Sequence, residues 1–332
     1  MIRNYFILTL RNFLRNRNYT LINILGLSIG ITACIVIFLI ISYELAFDKF
    51  HFKYDSIYRI VQTSKNASGE EFESRTPYPL AKAFRNDFPE IPLVTAMHYQ
   101  EEVLVKSGTD KQIVENVLFA DSLFFEVFDF KVLSGNPQQD LGEPGKVFLV
   151  KSLADKLLKG KETATIKIDG RLELEVAGII EDPPASSHVN FSMVVSMPSF
   201  TGDFIGNLPI DSWGMSAGGL VYMALPQNIS PQNVNDRFKT FATKYEGKEQ
   251  AEKSAYSLQP LKEIHFDEQF TGNPGNRANS NYSDLMIMGI LGLFILVIAC
   301  INFVNLATAL AVKKSKEIGI RKTRPAHSLF SR

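Results

Sequence analysis

Two stretches of the 332-residue chain carry the Gly-x-Ser-x-Gly spacing that can set a nucleophilic serine on a tight strand-to-helix turn: Gly26-Leu-Ser-Ile-Gly30 and Gly214-Met-Ser-Ala-Gly218. Neither has the flanks that turn requires. The first lies inside a long apolar run. The second follows Asp211-Ser-Trp213 rather than an apolar strand, and a strand rather than a helix comes after it, so Ser216 reads as part of a glycine-rich loop. A phosphate-cradling loop is missing as well. Gly145-Lys146 has Asp140 where the first glycine belongs and Val147 where a hydroxyl should follow, so no ATPase site can be assigned to this chain. His51, His98, His188, His265 and His327 show neither HExxH nor any paired ligand spacing, and outline no zinc site. The residues therefore name no catalytic group, no metal and no cofactor.

With 35 Lys+Arg against 35 Asp+Glu, 45% hydrophobic residues and two cysteines, the averages argue against a disordered chain, a disulfide scaffold and a basic nucleic-acid binder. The averages hide a segregation. Residues 18–43 and 285–312 are uncharged and apolar throughout, each long enough to cross a hydrocarbon core about 30 Å thick, and both are expected to be transmembrane helices. Residues 1–20 carry Arg3, Arg11, Arg15 and Arg17 and no acid, residues 313–332 carry seven Lys+Arg against Glu317, and the intervening stretch is net acidic. Basic flanks stay on the cytoplasmic side while a long domain crosses, so both termini are expected in the cytoplasm and 46–284 outside. The first run is longer than a signal-peptide core, and Ile41-Ser-Tyr-Glu-Leu-Ala-Phe47 offers no clear cleavage site. Cys34 and Cys300 both fall in the spans, so the exported domain must fold without disulfides.

Around these spans the pattern divides the chain into an amphipathic interfacial helix within 1–20, a first span at 21–45, an α+β domain at 46–284, a second span and stalk at 285–312, and a basic tail at 313–332. Inside the domain, Ser56–Thr63, Ile113–Phe119, Val147–Val150 and Gly219–Leu225 read as strands. Pro79–Phe88 reads as a helix stopped by Pro89, and a short helix capped by Ser152 runs to Leu158. The alternation Thr165–Ala177 predicts a hairpin with a three-residue loop at 169–171 and Ile168 opposite Leu172, which keeps both apolar rows on one face. Gly272–Ser280 reads as a flexible lead into the second span. Within the membrane, Gly26 and Gly30 form a GxxxG pattern suited to close helix packing, and Asn302 and Asn305 share a helix face where each amide needs a partner on another helix.

In order along the chain, Asn23–Gly30, Tyr43–His51 with Ser56–Arg59, Ala120–Phe130 with Leu133–Gly135, Val176–Pro184 and Ser187–Phe191 resemble segments of the MacB/FtsX-type permease subunits of ABC transporters. Leu258–His265 and Ala299–Ala307 are the most specific of these matches. The resemblance implies a MacB-like periplasmic domain, with a subdomain inserted between about 111 and 210, and a bacterial inner-membrane location. It also implies a separate cytoplasmic ABC ATPase, a second permease copy or repeat, membrane lipids and a periplasmic adaptor or outer-membrane partner, with no nucleic acid. Family members use such domains for efflux, lipoprotein extraction or cell-wall-related mechanotransmission. Lys316, Glu317, Gly319, Arg321 and Lys322 match the start of the family's ATPase-coupling segment. After Thr323 the resemblance stops where the family continues with further spans, so the sequence reads as a truncated copy, and Pro325 would interrupt a coupling helix. The competing layout is a two-span extracytoplasmic sensor, which needs a cytoplasmic output module that twenty residues after Val312 do not supply.

Overall fold

The computed structural model describes residues 17–66, 69–158, 165–202, 204, 209–213, 218–270 and 279–323. The amphipathic leader, Ser216, most of Gly272–Ser280 and Pro325 lie outside these residues. In chain order the elements are α1 (Arg17–Glu44), β1 (Ile57–Asn66), β2 (Gly69–Glu73), α2 (Leu80–Asp87), β3 (Val94–Ser107) and β4 (Asp110–Ala120). There follow α3 (Phe124–Val127), β5 (Val132–Ser134), α4 (Pro137–Asp140), β6 (Lys146–Val150), α5 (Lys151–Leu158), β7 (Thr165–Ile168), β8 (Leu172–Ile180) and β9 (Met193–Ser196). A 3-10 turn at Met197–Ser199 precedes β10 (Gly219–Ala224), α6 (Pro231–Glu246), α7 (Lys248–Lys253), β11 (Ser254–Pro260), α8 (Leu261–Ile264) and α9 (Tyr282–Thr323). Two compact units result: α1 and α9 in one, and Ala46–Asn281 in the other.

The second unit is α+β. Its strands join in one sheet of order β11-β1-β10-β3-β4-β9-β6-β8-β5, with β2 added to β1 and β7 bridging β3 and β8. The strands of residues 111–210 belong to this same sheet. Pairing is antiparallel except at β4–β9 and β6–β8. The continuous apolar run of β10 is explained by burial on both faces. Leu220 and Tyr222 join a core with Leu118, Phe128 and Val194, while Val221 and Met223 join another with Phe84, Phe88, Phe238 and Phe241. The second core is closed by α2 and α6. The latter starts at Ser230, whose hydroxyl accepts from the Asn233 N–H at 3.3 Å, and Pro231 occupies the first turn. It ends at Gly247, whose φ of 85° reverses the chain.

The β7–β8 hairpin places Ile168 opposite Leu172. Asp169 and Gly170 sit at φ 48° and 69° in the turn, and the Asp169 carboxylate accepts from the Leu104 N–H at 2.8 Å, tying the turn to β3. Helix α5 differs from the sequence expectation. It begins at Lys151, so Ser152 lies inside its first turn and is not the cap. Asp182 takes that role, accepting from the Ser152 N–H at 3.1 Å and from its hydroxyl. A carboxylate from a distant loop outcompetes the local hydroxyl because it also complements the helix dipole.

In the first unit, the long apolar stretches of α1 and α9 have no polar face and leave most large side chains exposed, as helices do when hydrocarbon rather than water surrounds them. The lengths suited to crossing a bilayer are Leu21–Glu44 and Tyr282–Ala309. Helix α9 is 42 residues long, about 63 Å at 1.5 Å per residue, roughly twice the hydrocarbon thickness.

Candidate functional site

The densest set of buried polar groups lies where the chain enters and leaves the Ala46–Asn281 unit. Asp48 adopts φ 58°, a left-handed conformation that aspartate tolerates, and donates its N–H to the Ser186 carbonyl at 2.8 Å. Its carboxylate is 1% exposed. Oδ1 accepts from the His188 N–H at 2.9 Å, and Oδ2 lies 3.0 Å from His188 Nδ1 in a bent geometry. His188 Nε2 is 3.0 Å from the Tyr222 hydroxyl on β10, and Tyr222 is bonded to the Arg59 guanidinium on β1. Arg59 Nε donates to Gln259 Oε1 on β11 at 2.7 Å, and Gln259 Nε2 donates to Asp267 Oδ2 at 2.5 Å. Asp267 receives the Gln269 N–H on its carboxylate at 2.7 Å and the Asn279 amide on its carbonyl, three residues before α9. A hydrogen-bonded relay therefore runs from the chain just after α1 to the chain just before α9.

Two further ties reinforce it. The rings of Phe47 and His265 stack at 3.5 Å and 6°, and the His265 carbonyl accepts from the Ser280 N–H at 2.8 Å. His51, 2% exposed, accepts at Nδ1 from the Asp129 N–H at 3.1 Å among Phe50, Phe128 and Phe130. Asp129 in turn accepts from the Phe52 N–H at 2.6 Å, and Lys53 Nζ donates to the Glu126 carbonyl at 2.8 Å.

The electrostatics follow from burial. Desolvation pushes the Asp48 carboxyl upward, but the charge of His188 and hydrogen bonds from its side chain and backbone outweigh it and hold Asp48 below the ordinary range. Burial raises Tyr222, against the opposing charge of Arg59, so its phenol keeps its proton. Burial also drives His51 down to about 4, against the opposing pull of Asp48. Asp48, Arg59, His188 and Tyr222 are too deeply covered for a dissolved reagent to reach. The chemistry of this arrangement is mechanical: paired charges in a low-dielectric interior hold separate chain segments in one geometry.

The MacB-like periplasmic core domain family matches residues 20–241, two-thirds of the sequence. The chain belongs to that family. Among solved structures, a domain of a protein assigned as a permease in Porphyromonas gingivalis aligns at TM-score 0.54 and 16% identity, covering 67% of this chain and 95% of that one, and shares the fold. The periplasmic region of MacB from Actinobacillus actinomycetemcomitans aligns at TM-score 0.45 and 12% identity over 64% and 91% of the two chains. The extracellular domain of the noncanonic ABC-type transporter YknZ from Gram-positive bacteria aligns at 0.41 and 13% over 61% and 99%. No curated protein matches the chain.

In this MacB-type chain the residues singled out in the membrane separate into groups. Gly30 is buried where α1 meets α9, and a Cβ added there would lie 2.6 Å from that of Ala299. Gly26 stands apart: a Cβ there would meet nothing within 4 Å, so the GxxxG pair does not act as one packing surface between these two helices. The other close approaches come from α9 itself. Cβ atoms at Gly292 and Gly289 would lie 3.4 Å from Ile37 and 3.8 Å from Ile41, and Cys34 Sγ donates to the Gly292 carbonyl at 3.3 Å. Their three-residue spacing, continued seven residues on by Ala299, was the signal available for this stripe. Asn302 and Asn305 are exposed on α9 rather than packed into the seam with α1. Lys316, Glu317, Gly319, Arg321 and Lys322 all lie on the last turns of α9, in the same unbroken helix as the second span. Lys316 and Gly319 are exposed there.

The relay residues Asp48, Arg59, His188, Tyr222, Gln259 and Asp267 escaped sequence reasoning, because they are far apart along the chain and no local spacing connects them. One signal was present. Tyr43–His51, Ser56–Arg59, Ser187–Phe191 and Leu258–His265 carry the family resemblance, and each contributes a member to the relay or its neighbouring ties.

Proposed function

We propose that this chain is the permease component of an ABC transporter in the bacterial inner membrane, with both termini cytoplasmic and residues 46–284 periplasmic. It passes movement from a separate cytoplasmic ATPase to its periplasmic domain, and the ATP is hydrolysed on that partner. The observation that carries this reading is the single helix α9, which runs without interruption from the relay-held exit of the domain through the second span to the basic turns at Lys316–Lys322. A continuous hydrogen-bonded helix transmits displacement along its length, whereas a loop at the membrane surface would absorb it. Lys316, Glu317, Gly319, Arg321 and Lys322 are the coupling residues toward the ATPase, and a second permease copy or repeat and a periplasmic adaptor complete the assembly. In the same reading Asn302 and Asn305 meet helices of that second copy or repeat, since an amide in hydrocarbon gains by finding a partner.

The test is affinity capture of the full chain from detergent-solubilised native membranes, with the bound proteins identified by mass spectrometry. A P-loop ATPase subunit should co-purify, and the triple variant Lys316→Glu, Arg321→Glu, Lys322→Glu should lose it while inserting normally. Equal recovery of the ATPase with that variant removes these residues from the coupling surface. Failure of any ATPase to co-purify with the native chain removes the transporter reading.

A further inference from the structure

Phe52 is 94% exposed, yet its backbone is held by the Asp129 carboxylate at 2.6 Å and the next residue's amine is held by the Glu126 carbonyl. Scattered exposed apolar residues need no explanation, but this one is rigidly presented and continuous with other apolar surface. Phe50 beside it is also exposed, and Phe52 shares an open groove with Leu93, Leu225, Pro226 and Ile229. Sheet register places this surface. Ile57 pairs with Ala224, Tyr58 with Pro260 and Val94 with Met223. The start of β1, the ends of β10 and β11 and the start of β3 therefore share one end of the sheet. The incoming chain at 46–56, the outgoing chain at 261–270 and the turns before β3 and after β10 all gather at that end.

Chain length fixes how far this end can be from the bilayer. The outward ends of the two spans carry exposed tyrosines, Tyr43 near the end of α1 and Tyr282 at the start of α9, the residue type that settles at a membrane–water boundary. Phe50 and Phe52 follow Tyr43 by seven and nine residues, at most about 30 Å of extended chain. The segment is wound into turns, with Lys49 N–H on the Ala46 carbonyl, His51 N–H on Asp48 and Tyr54 N–H on His51, which brings the span to roughly half of that. Its inward face is Phe47, Asp48 and His51; its outward face is Lys49, Phe50 and Phe52. An apolar and basic outward face continuous with a membrane span has the chemistry of the lipid interface, with rings at the acyl boundary and the ammonium at the phosphates.

We propose that the Lys49–Phe52 turn, with the groove beside Phe52, is a lipid-binding surface that rests in the headgroup layer on the non-cytoplasmic side. The proposal rests on α1 and α9 spanning a bilayer. The experiment uses the full chain in phosphatidylethanolamine/phosphatidylglycerol vesicles, with Trp213→Phe removing the native indole and Phe52→Trp supplying a single reporter. The expected result is blue-shifted emission, lost when the acyl chains are brominated near the headgroup and protected from aqueous acrylamide. A red-shifted indole that acrylamide quenches and brominated lipid does not would overturn the proposal, and would mean that a protein partner covers this surface instead. A parallel reporter at Phe38→Trp, within α1, separates the two levels. If it is quenched by brominated lipid while Phe52→Trp is not, the surface proposal alone fails; if neither is quenched, the membrane reading fails with it.

Discussion

Asp48 is the residue on which most of the relay's charge balance depends. Removing one member of a buried charged pair costs about 3–5 kcal/mol because its partner is left uncompensated. Asp48→Ala should therefore destabilise the domain by about that much, while Asp48→Asn, which keeps the shape and the left-handed backbone, should cost less; chemical denaturation followed by circular dichroism reads both. Acid should act in two stages. In the unfolded chain histidine takes its proton near pH 6.5, whereas folded His51 and His98 take theirs only near 4, so the unfolded state binds more protons between those values. Stability is full above pH 6.5 and falls as the pH drops toward 4, by about 3 kcal/mol for a group shifted as far as His51. His51→Asn, which can still accept from Asp129, should flatten that slope in a pH series of melting temperatures. Below pH 4 the depressed Asp48 carboxyl protonates in turn, and its contribution disappears as the pH falls through its folded value. None of this was legible from spacing: histidines without a metal-ligand pattern gave no reason to look at His188 or His51, whose roles come from burial and from partners in other segments.

At the level of elements, the helix pair makes a sharp contrast between two glycines four residues apart. Gly30→Ala forces overlap with Ala299 and should cost about 1–3 kcal/mol in detergent-resistant stability, with Ala299→Gly restoring it, while Gly26→Ala should be near neutral. Equal effects at the two positions would overturn this seam. Removing the carboxylate that caps α5, by Asp182→Ala, should cost about 1 kcal/mol in a denaturant titration, and Ser152→Ala should cost less because its hydroxyl is not the cap. Much of the element plan could be read ahead of the structure: both spans, the β7–β8 register and the strand at β10 each follow from a periodicity that a single face or solvent imposes. Helix α6 was equally available, with Ser230-Pro231 as a start signal and Val234, Phe238, Phe241 and Ala242 on one face, but a polar uncharged stretch runs into it and masks its beginning. The order of the sheet was not accessible, since β1 pairs with β11 across nearly two hundred residues and only tertiary packing chooses that neighbour.

For the whole molecule, the proposed coupling turns on the continuity of α9 itself, from the second span to the basic turns beyond it. Ala311→Pro should interrupt α9 past the span at a cost of about 3 kcal/mol in helix stability. It should leave insertion and domain folding intact while abolishing nucleotide-dependent changes in the domain, read by limited proteolysis in the presence of the ATPase subunit. Unchanged nucleotide dependence would mean that the helix is not the route. The meeting of incoming and outgoing chain at Phe47 and His265 carries a different consequence. A domain whose two ends touch closes on itself like a bead whose thread enters and leaves through one hole, and such modules tolerate excision and transplantation. Residues 46–281 should therefore be graftable between the helices of an unrelated antiparallel hairpin, and circular dichroism of the chimera should show the module folded as in the parent chain.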